Sequence, residues 1–235
     1  AAADTTARPG VPPGGARPST GPKPYSEVIT AKAVSDKGMF TVHKVEDKYF
    51  FEVPDSMLNR DILVVNRISK AAAGMRNGFF GFAGDQIGQN VVRFEKGPNN
   101  KVFLRNVSFA EYAKDSTSPM FTAVTKSNVQ PIAAAFDIKA FAKDSAGTVI
   151  DVTDFVSGDN DVLFFSSGLK TSMRIGGQQN DKSYISGIRS YPMNLEIATV
   201  KTYSRSAAPG GMPGGGPGGN LTIEMNSSMV LLPKV

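Results

Sequence analysis

The sequence predicts a mainly β protein, built as an antiparallel sandwich or as one large curved sheet with short helical turns. Apolar and polar residues alternate with a period of two in segment after segment, as in half-buried strands. Short polar or Gly/Pro/Asn breaks of hairpin length, such as Glu46–Lys48 and 97–100, separate neighbouring segments. The block 38–68 concentrates large apolar side chains, so we expect it to form the middle of the core.

The block 38–68 divides into three predicted strands. Alternation begins at Phe40 and continues, after the break, with Tyr49, Phe51 and Val53 on one face. Pro54 has no backbone N–H to donate, so it should end the second strand. Residues 55–59 predict a turn or a single helical turn, and the apolar run 62–65 predicts a strand covered on both faces.

Further strands and short helices are predicted along the rest of the chain from periodicity and turn residues. We expect one or two amphipathic helical turns in 25–34, a hairpin across 91–107, a short helix over 108–113, and strands over 120–124, 132–143 and 148–150. We also expect a short strand or the start of a helical turn over 162–165, and an antiparallel pair formed by 193–203 and 221–225.

Composition divides the chain into a tail and one folded unit. Residues 1–24 are rich in Pro, Gly, Ala and Thr, and this composition predicts a disordered tail. We expect an N-terminal β subdomain over 25–70, packed as one unit with a main antiparallel β domain over 71–235. The Pro/Gly-rich stretch 207–219 predicts a flexible loop, which costs little because loop-closure entropy grows only logarithmically with length.

Composition also excludes several function classes. The chain of 235 residues has no Cys, so disulfides, thiolate zinc sites and cysteine nucleophiles are excluded. Its net charge is +5, and its basic residues are scattered among acidic ones rather than clustered. This distribution argues against nucleic acid as a partner. No apolar run reaches the roughly 18 residues of a membrane span.

The residues offer few groups for catalysis or metal binding. His43 is the one histidine, and we expect its side chain on the solvent face of a strand. One histidine cannot build an HExxH zinc motif, and no serine lies in a G-x-S-x-G elbow, so an enzyme complete within these residues is disfavoured. The oxygen-rich run Asp151, Asp154, Asp159 and Asp161 is the calcium candidate, against turn-forming and helix-capping roles for these aspartates.

Exposed aromatic residues are the other candidates. Phe79, Phe80 and Phe82 lie in a Gly-rich stretch and either dock on a neighbouring surface or form a contact site. Tyr184 and Tyr191 are further contact candidates.

Several phrases, taken in order, resemble the N-terminal part of large exported bacterial zinc metalloproteases of the gluzincin type. They are PYSEVIT (24–30), GMFTVHKVEDKYFFEVPDSMLNRDILVVNRIS (38–69), QNVVRFEKGPNNKVFLRN (89–106), GTVIDVTDF (147–155), DKSYISGIRSYPMNLEIATVKTYS (181–204) and SSMVLLP (227–233). In those enzymes two domains of unknown function precede the HExxH catalytic domain.

The resemblance implies a non-catalytic scaffold, accessory or prosegment-like region of an exported protease. Zinc is then expected in a downstream catalytic domain of the same polypeptide, which would also be the main partner, with peptide or protein substrate met indirectly. No catalytic residue is carried onto this sequence. The location implied is the periplasm, the outer surface or the medium. The alternative is a free-standing secreted β-sandwich module that binds carbohydrate or a protein surface.

Overall fold

A computed structural model describes residues 21–72, 75, 81–110, 115, 117–207 and 218–234. These residues form mainly β structure, as predicted, in one curled antiparallel sheet. Its strands are β1 Val34–Lys37, β2 Thr41–Val45, β3 Lys48–Pro54, β4 Asp61–Lys70, β5 Gln86–Gly97, β6 Lys101–Asn106, β7 Ile132–Phe141, β8 Gly147–Asp151, β9 Ile175–Gln178, β10 Tyr184–Ser190, β11 Asn194–Arg205 and β12 Gly219–Leu231.

Short helices connect some of the strands. The α-helices are α1 Tyr25–Val28, α2 Pro119–Ser127, α3 Thr153–Ser157 and α4 Ser167–Ser172, and single 3₁₀ turns span Asp55–Met57 and Asn180–Lys182. The first 3₁₀ turn directly follows Pro54, where β3 ends as the sequence predicts. None of the helices in the described part of the chain has the length and apolar character needed to cross a membrane.

Strands from the two predicted subdomains alternate within the sheet. The order is β1-β2-β3-β8-β7-β6-β5-β4-β12-β11-β10, and β9 pairs with β11 beside this path. The predicted N-terminal subdomain thus contributes β1–β3 at one end and β4 in the middle. Long-range pairings, β3 with β8 and β4 with β12, join it to the rest. The predicted boundary at residue 70 stays a prediction.

The hairpins predicted from local pattern are present. β2 and β3 pair through Val45 and Lys48, and β5 and β6 pair through Gly97 and Lys101. β11 and β12 keep one register from the pair Asn194 and Val230 to the pair Arg205 and Gly219. The segment 132–141 is a strand, although its alanines also suit a helix.

The sheet curls until its two ends touch. The backbone N–H of Met39 donates to the carbonyl of Tyr191 over 2.7 Å, and Ser190 Oγ donates to the carbonyl of Phe40 over 2.6 Å. A Cβ atom at Gly38 would lie 2.5 Å from Ser190 Oγ, so only glycine fits this approach. The curled sheet therefore has its first and last strands tied together.

Two apolar clusters fill the curled sheet. The larger joins the buried faces of β2, β3, β4, β5, β6 and β11, and Phe40 stands edge-to-face on Phe94 within it. The smaller includes Phe164 and Tyr203, whose rings stack with centroids 4.3 Å apart. Burial of each such side chain contributes roughly 1.5–3 kcal/mol.

The prediction of a strand over 120–124 is wrong, because these residues lie in α2. Ser118 caps the helix, since its side chain accepts a hydrogen bond from the N–H of Met120, and Pro119 occupies the first helical position. This Ser-Pro start is a helix signal that outweighs the apolar character of the following residues.

The prediction for 162–165, a short strand or a helical turn, is also wrong. These four residues are buried but have no regular secondary structure. The predicted helix over 108–113 lies partly outside the described residues, and Ser108 to Ala110 are not helical. Residues 1–20 of the predicted tail and 208–217 of the predicted loop also lie outside them.

Candidate functional site

The single histidine is buried, contrary to the expected solvent-facing position. His43 is 3 % exposed. The segment around α1 covers this face of the sheet, where Tyr25, Val28 and Ile29 pack beside a small buried cluster that contains Phe50. His43 pairs directly with Phe50 across β2 and β3, so the same covering buries it. Sequence periodicity identifies the face but not the helix that covers it.

His43 joins a row of four polar side chains. Its Nδ1 lies 2.7 Å from Ser35 Oγ, and its Nε2 lies 3.1 Å from a carboxylate oxygen of Glu52. The Tyr25 hydroxyl donates to the same carboxylate oxygen over 2.7 Å. Burial, together with the hydrogen bond to Glu52, raises the pKa of Tyr25, which therefore remains a donor.

The chemistry available to this row is limited. A hydroxyl, an imidazole and a carboxylate in sequence are the groups that activate a serine nucleophile. Ser35, however, lies on the end strand β1, and neither of the two cavities described below is lined by it. Both ring nitrogens of His43 are occupied within the protein. The row therefore ties α1, β1, β2 and β3 together.

The four aspartates of the calcium candidate make different contacts. Asp151 accepts from Thr153 and pairs with Lys48 over 3.3 Å, and it lines a cavity of about 290 Å³ together with Asp154. Asp159 pairs with Lys170. Asp161 contributes its backbone carbonyl rather than its side chain, and this carbonyl accepts a hydrogen bond from Asn90. Among the described residues, no group of three or more His, Cys, Asp or Glu side chains is arranged to hold a metal ion.

Lys201 is a buried charged residue that sequence reasoning missed. It lies on β11 with no exposed surface, and its Nζ donates to the carbonyls of Gly158 and Leu163 over 2.6 and 3.2 Å. Burial lowers the pKa of Lys201 to about 8, although the charge of Asp159 acts in the opposite direction. The lysine thereby fixes the irregular segment 158–166 on the sheet.

Asn66 on β4 anchors the same segment from another strand. Its Nδ2 donates to the carbonyls of Val162 and Phe164 over 2.8 and 3.3 Å, and its Oδ1 accepts from Ser227 Oγ. Asn66 has no exposed surface. The available sequence signal is a polar residue at an inward position of an apolar strand, as with Lys201.

Three of the five aromatic contact candidates lie among the residues that the structure describes. Phe79 and Phe80 lie outside the described residues, and Phe82 is 39 % exposed. Tyr184, at the start of β10, is 58 % exposed, and Tyr191, just after its end, is 48 % exposed. Seven residues of extended chain separate the two tyrosines by roughly 23 Å, so they do not form one compact site.

A second cavity, of about 430 Å³, lies where β6 ends beside β5. Sequence reasoning did not predict it, since its walls come from segments distant in the chain. Its lining is uncharged and consists of Gln89, Asn90, Val91, Asn106, Val107, Ser108, Phe109 and Pro131.

Two family models match the chain. The model described as "Domain of unknown function (DUF5117)" matches residues 84–235, and the model described as "Domain of unknown function (DUF5118)" matches residues 22–71. The first match covers more than half of the chain. A search of curated proteins and a search of solved structures found no match.

Proposed function

This chain belongs to the family described as "Domain of unknown function (DUF5117)", and we propose that it is the non-catalytic N-terminal region of an exported zinc metalloprotease. In this role it supports a downstream catalytic domain and shapes the access of peptide substrate. The resemblance of its sequence phrases to such proteases motivates the proposal. The chain also matches two domains of unknown function in succession, the number that the resemblance implies.

The observation that carries the proposal is that His43, the one histidine, has both ring nitrogens bonded within the protein. An HExxH zinc site needs two histidines on one helix face, and this chain has one histidine, on a strand. Its two ring nitrogens are bonded to Ser35 and Glu52. Zinc chemistry would therefore have to come from residues outside this chain.

The sheet supports the scaffold role. Each matched region contributes strands whose neighbours come from the other region, through β3 with β8 and β4 with β12. The two regions consequently form one continuous sheet, whose ends are closed by contacts of 38–40 with 190–191. A single sheet of this kind gives a catalytic domain a stable surface to pack on.

Peptidase assays test the proposal. The native polypeptide that contains this chain should hydrolyse an unstructured protein such as casein, and 1,10-phenanthroline should abolish the activity. The chain 1–235 alone should be inactive. The variant His43→Gln of the native polypeptide should keep its zinc, because His43 is not a ligand, and Ser35→Ala should do the same if His43→Gln folds poorly.

Three results would refute the proposal. They are chelator-sensitive activity in the chain alone, loss of zinc in a folded His43→Gln protein, and a native polypeptide without peptidase activity.

A second candidate function is a free-standing secreted binding module, for carbohydrate or a protein surface. Tyr184 and Tyr191 favour it, because each keeps about half of its surface exposed at an end of the sheet. Binding of the chain to a glycan array, weakened by Tyr184→Ala and Tyr191→Ala, would support the module. Unchanged binding by both variants would exclude these tyrosines as its contact surface.

A further inference from the structure

We propose that the cavity of about 290 Å³ beside β7 binds an extended peptide segment that carries a lysine or arginine, and that this segment adds to β7 as a short strand. The cavity is lined by Ala134, Ala135, Phe136, Asp137, Lys139, Asp151, Asp154 and Phe155. The inference does not depend on the proposed protease parent, since every protein group that it uses lies within this chain.

β7 has strand partners on both sides over only part of its length. β6 pairs with β7 along 132–137, whereas β8 pairs with it from Ile138 to Phe141. β8 ends at Asp151, and the chain then enters α3 at Thr153. No strand of the described chain therefore pairs with the β8 side of β7 before Ile138, and the cavity lies along this open edge.

Ala135 directs unused backbone groups into the opening. The N–H of Ile138 donates to the carbonyl of Asn100 over 2.8 Å, so it points toward β6. Alternate residues of an antiparallel strand direct their backbone groups to the same side, so Phe136 also faces β6 and Ala135 faces the opposite side. Among the described residues, no hydrogen bond outside the β6 ladder reaches the N–H or C=O of Ala135.

The open edge is accessible and held in place. Ala135 is an exposed residue with a methyl side chain, so another backbone can approach it closely. Behind it, Phe136 is 7 % exposed, and Phe155 of α3 stands edge-to-face on its ring with centroids 5.3 Å apart. Pairing with β6 and this apolar contact fix the strand before a ligand arrives, which favours affinity.

Asp154 supplies the preference for a basic side chain. Of the three aspartates in the lining, Asp137 pairs with Lys139 over 3.6 Å and Asp151 pairs with Lys48 over 3.3 Å. Asp154 is exposed, and its carboxylate makes no hydrogen bond or ion pair with any described residue. A cationic side chain of the ligand can therefore pair with Asp154 without displacing a lysine.

A peptide strand matches this combination of groups. An unpaired N–H and C=O on the edge of a sheet bond to the backbone of an added strand, and side chains of that strand give specificity. A metal ion fits less well, because lysines already engage two of the three carboxylates. Since Ala135 offers only two backbone bonds, the preference for a basic residue should be a measurable part of the affinity.

The test is a titration of the folded chain with blocked pentapeptides, followed by ¹H–¹⁵N NMR. The probes have the sequences Thr-Val-Lys-Val-Thr and Thr-Val-Glu-Val-Thr, with blocked lysine alone as the probe for charge without a strand. We expect saturable shifts of the Ala135 and Asp137 amides with the lysine peptide, and about threefold weaker binding of the glutamate peptide. Hydrogen exchange of the Ala135 amide should slow at saturation, because its N–H then donates to the peptide.

Variants separate the backbone contribution from the charge. Ala135→Pro removes the donor at an edge that the ladder does not use, and it should weaken both peptides about fivefold. Asp154→Lys should reverse the preference between the two peptides. The matched control is Asp161→Lys, which makes the same change of charge at an exposed position outside the cavity lining and should leave the preference as it was.

Several outcomes would overturn the proposal. They are the absence of binding by either pentapeptide, unchanged exchange of the Ala135 amide at saturation, and equal binding of blocked lysine and the lysine peptide. A folded Asp154→Lys protein that still prefers the lysine peptide would overturn it as well. If Ala135→Pro does not fold, the exchange measurement on the parent protein decides the backbone contribution.

Discussion

Two regions of the sheet bury polar side chains in different ways. Near its first strands, His43 bonds to other side chains, Ser35 and Glu52, of which Ser35 is exposed. Around 158–166, Asn66 and Lys201 are fully buried and bond mainly to backbone carbonyls. The first arrangement ties strands that already pair with one another. The second decides where a segment without secondary structure runs.

The difference predicts which residues the fold depends on most. A backbone carbonyl in 158–166 has no ladder partner, so its bond to Asn66 or Lys201 replaces secondary structure. Side chains near His43 keep access to water and lose less when a partner is removed. We therefore expect large effects of substitution in the second region and small effects in the first.

Asn66→Leu should have the largest effect. It leaves the carbonyls of Val162 and Phe164 and the hydroxyl of Ser227 buried without partners, and we expect a loss of about 4 kcal/mol in the free energy of unfolding. Urea titration measures it. The matched control is Asn90→Ala, which removes one hydrogen bond, from the Asn90 side-chain amide to the carbonyl of Asp161, at a more exposed position. Equal losses in the two variants would contradict the larger contribution expected from the fully buried Asn66.

Lys201 should make the free energy of unfolding change with pH in the alkaline range. Its pKa is about 8 in the folded protein and 10.5 in the unfolded chain. Below pH 8 both states hold the proton, so the full cost of burying the charge is present. Between these values the unfolded chain holds a proton that the folded protein has released, so the free energy of unfolding rises with pH, by roughly 3 kcal/mol in total.

Lys201→Met tests this dependence. The difference in free energy of unfolding between parent and variant, measured by urea titration at pH 7 and at pH 10, should move in favour of the parent at the higher pH. The exposed substitution Lys32→Met serves as the control and should show no such change. A difference that stays constant with pH would mean that Lys201 is not buried as a charged group.

Glu52→Ala should have a smaller effect. It removes the acceptor used by Tyr25 and His43, and because Tyr25 and the Glu52 side chain are partly exposed, water can enter where the carboxylate was. We expect a loss of about 2 kcal/mol in the free energy of unfolding. The matched change Glu46→Ala, in an exposed pair with Lys32, should leave the urea midpoint unchanged. A loss as large as that of Asn66→Leu would place the critical polar contacts near His43 instead.

The contrast also explains what the sequence could predict. Hairpins such as β5–β6 and β11–β12 follow from local alternation and turn residues, and both are present. The buried state of His43 and the path of 162–165 depend on α1, Asn66 and Lys201, which are remote in the chain. Local periodicity carries no information on such contacts. The cavity of about 430 Å³ between β5 and the end of β6 was missed for the same reason.

The interleaving of the two matched regions is likewise non-local. Nothing in the pattern of β3 or β4 identifies β8 or β12 as its partner, since each offers a suitable apolar face. By contrast, the helix α2 was predictable. Ser118 and Pro119 carry a start signal that the apolar residues after them obscured.

The central claim is that this chain is the non-catalytic part of a zinc protease. The most direct measurement is native mass spectrometry of the protein purified from its source, with its zinc content. The account predicts a polypeptide far larger than 24.9 kDa that holds one zinc ion through an HExxH motif outside this chain, while the chain itself holds none. A native protein of about the mass of this chain, or a zinc ion bound within residues 1–235, would contradict it.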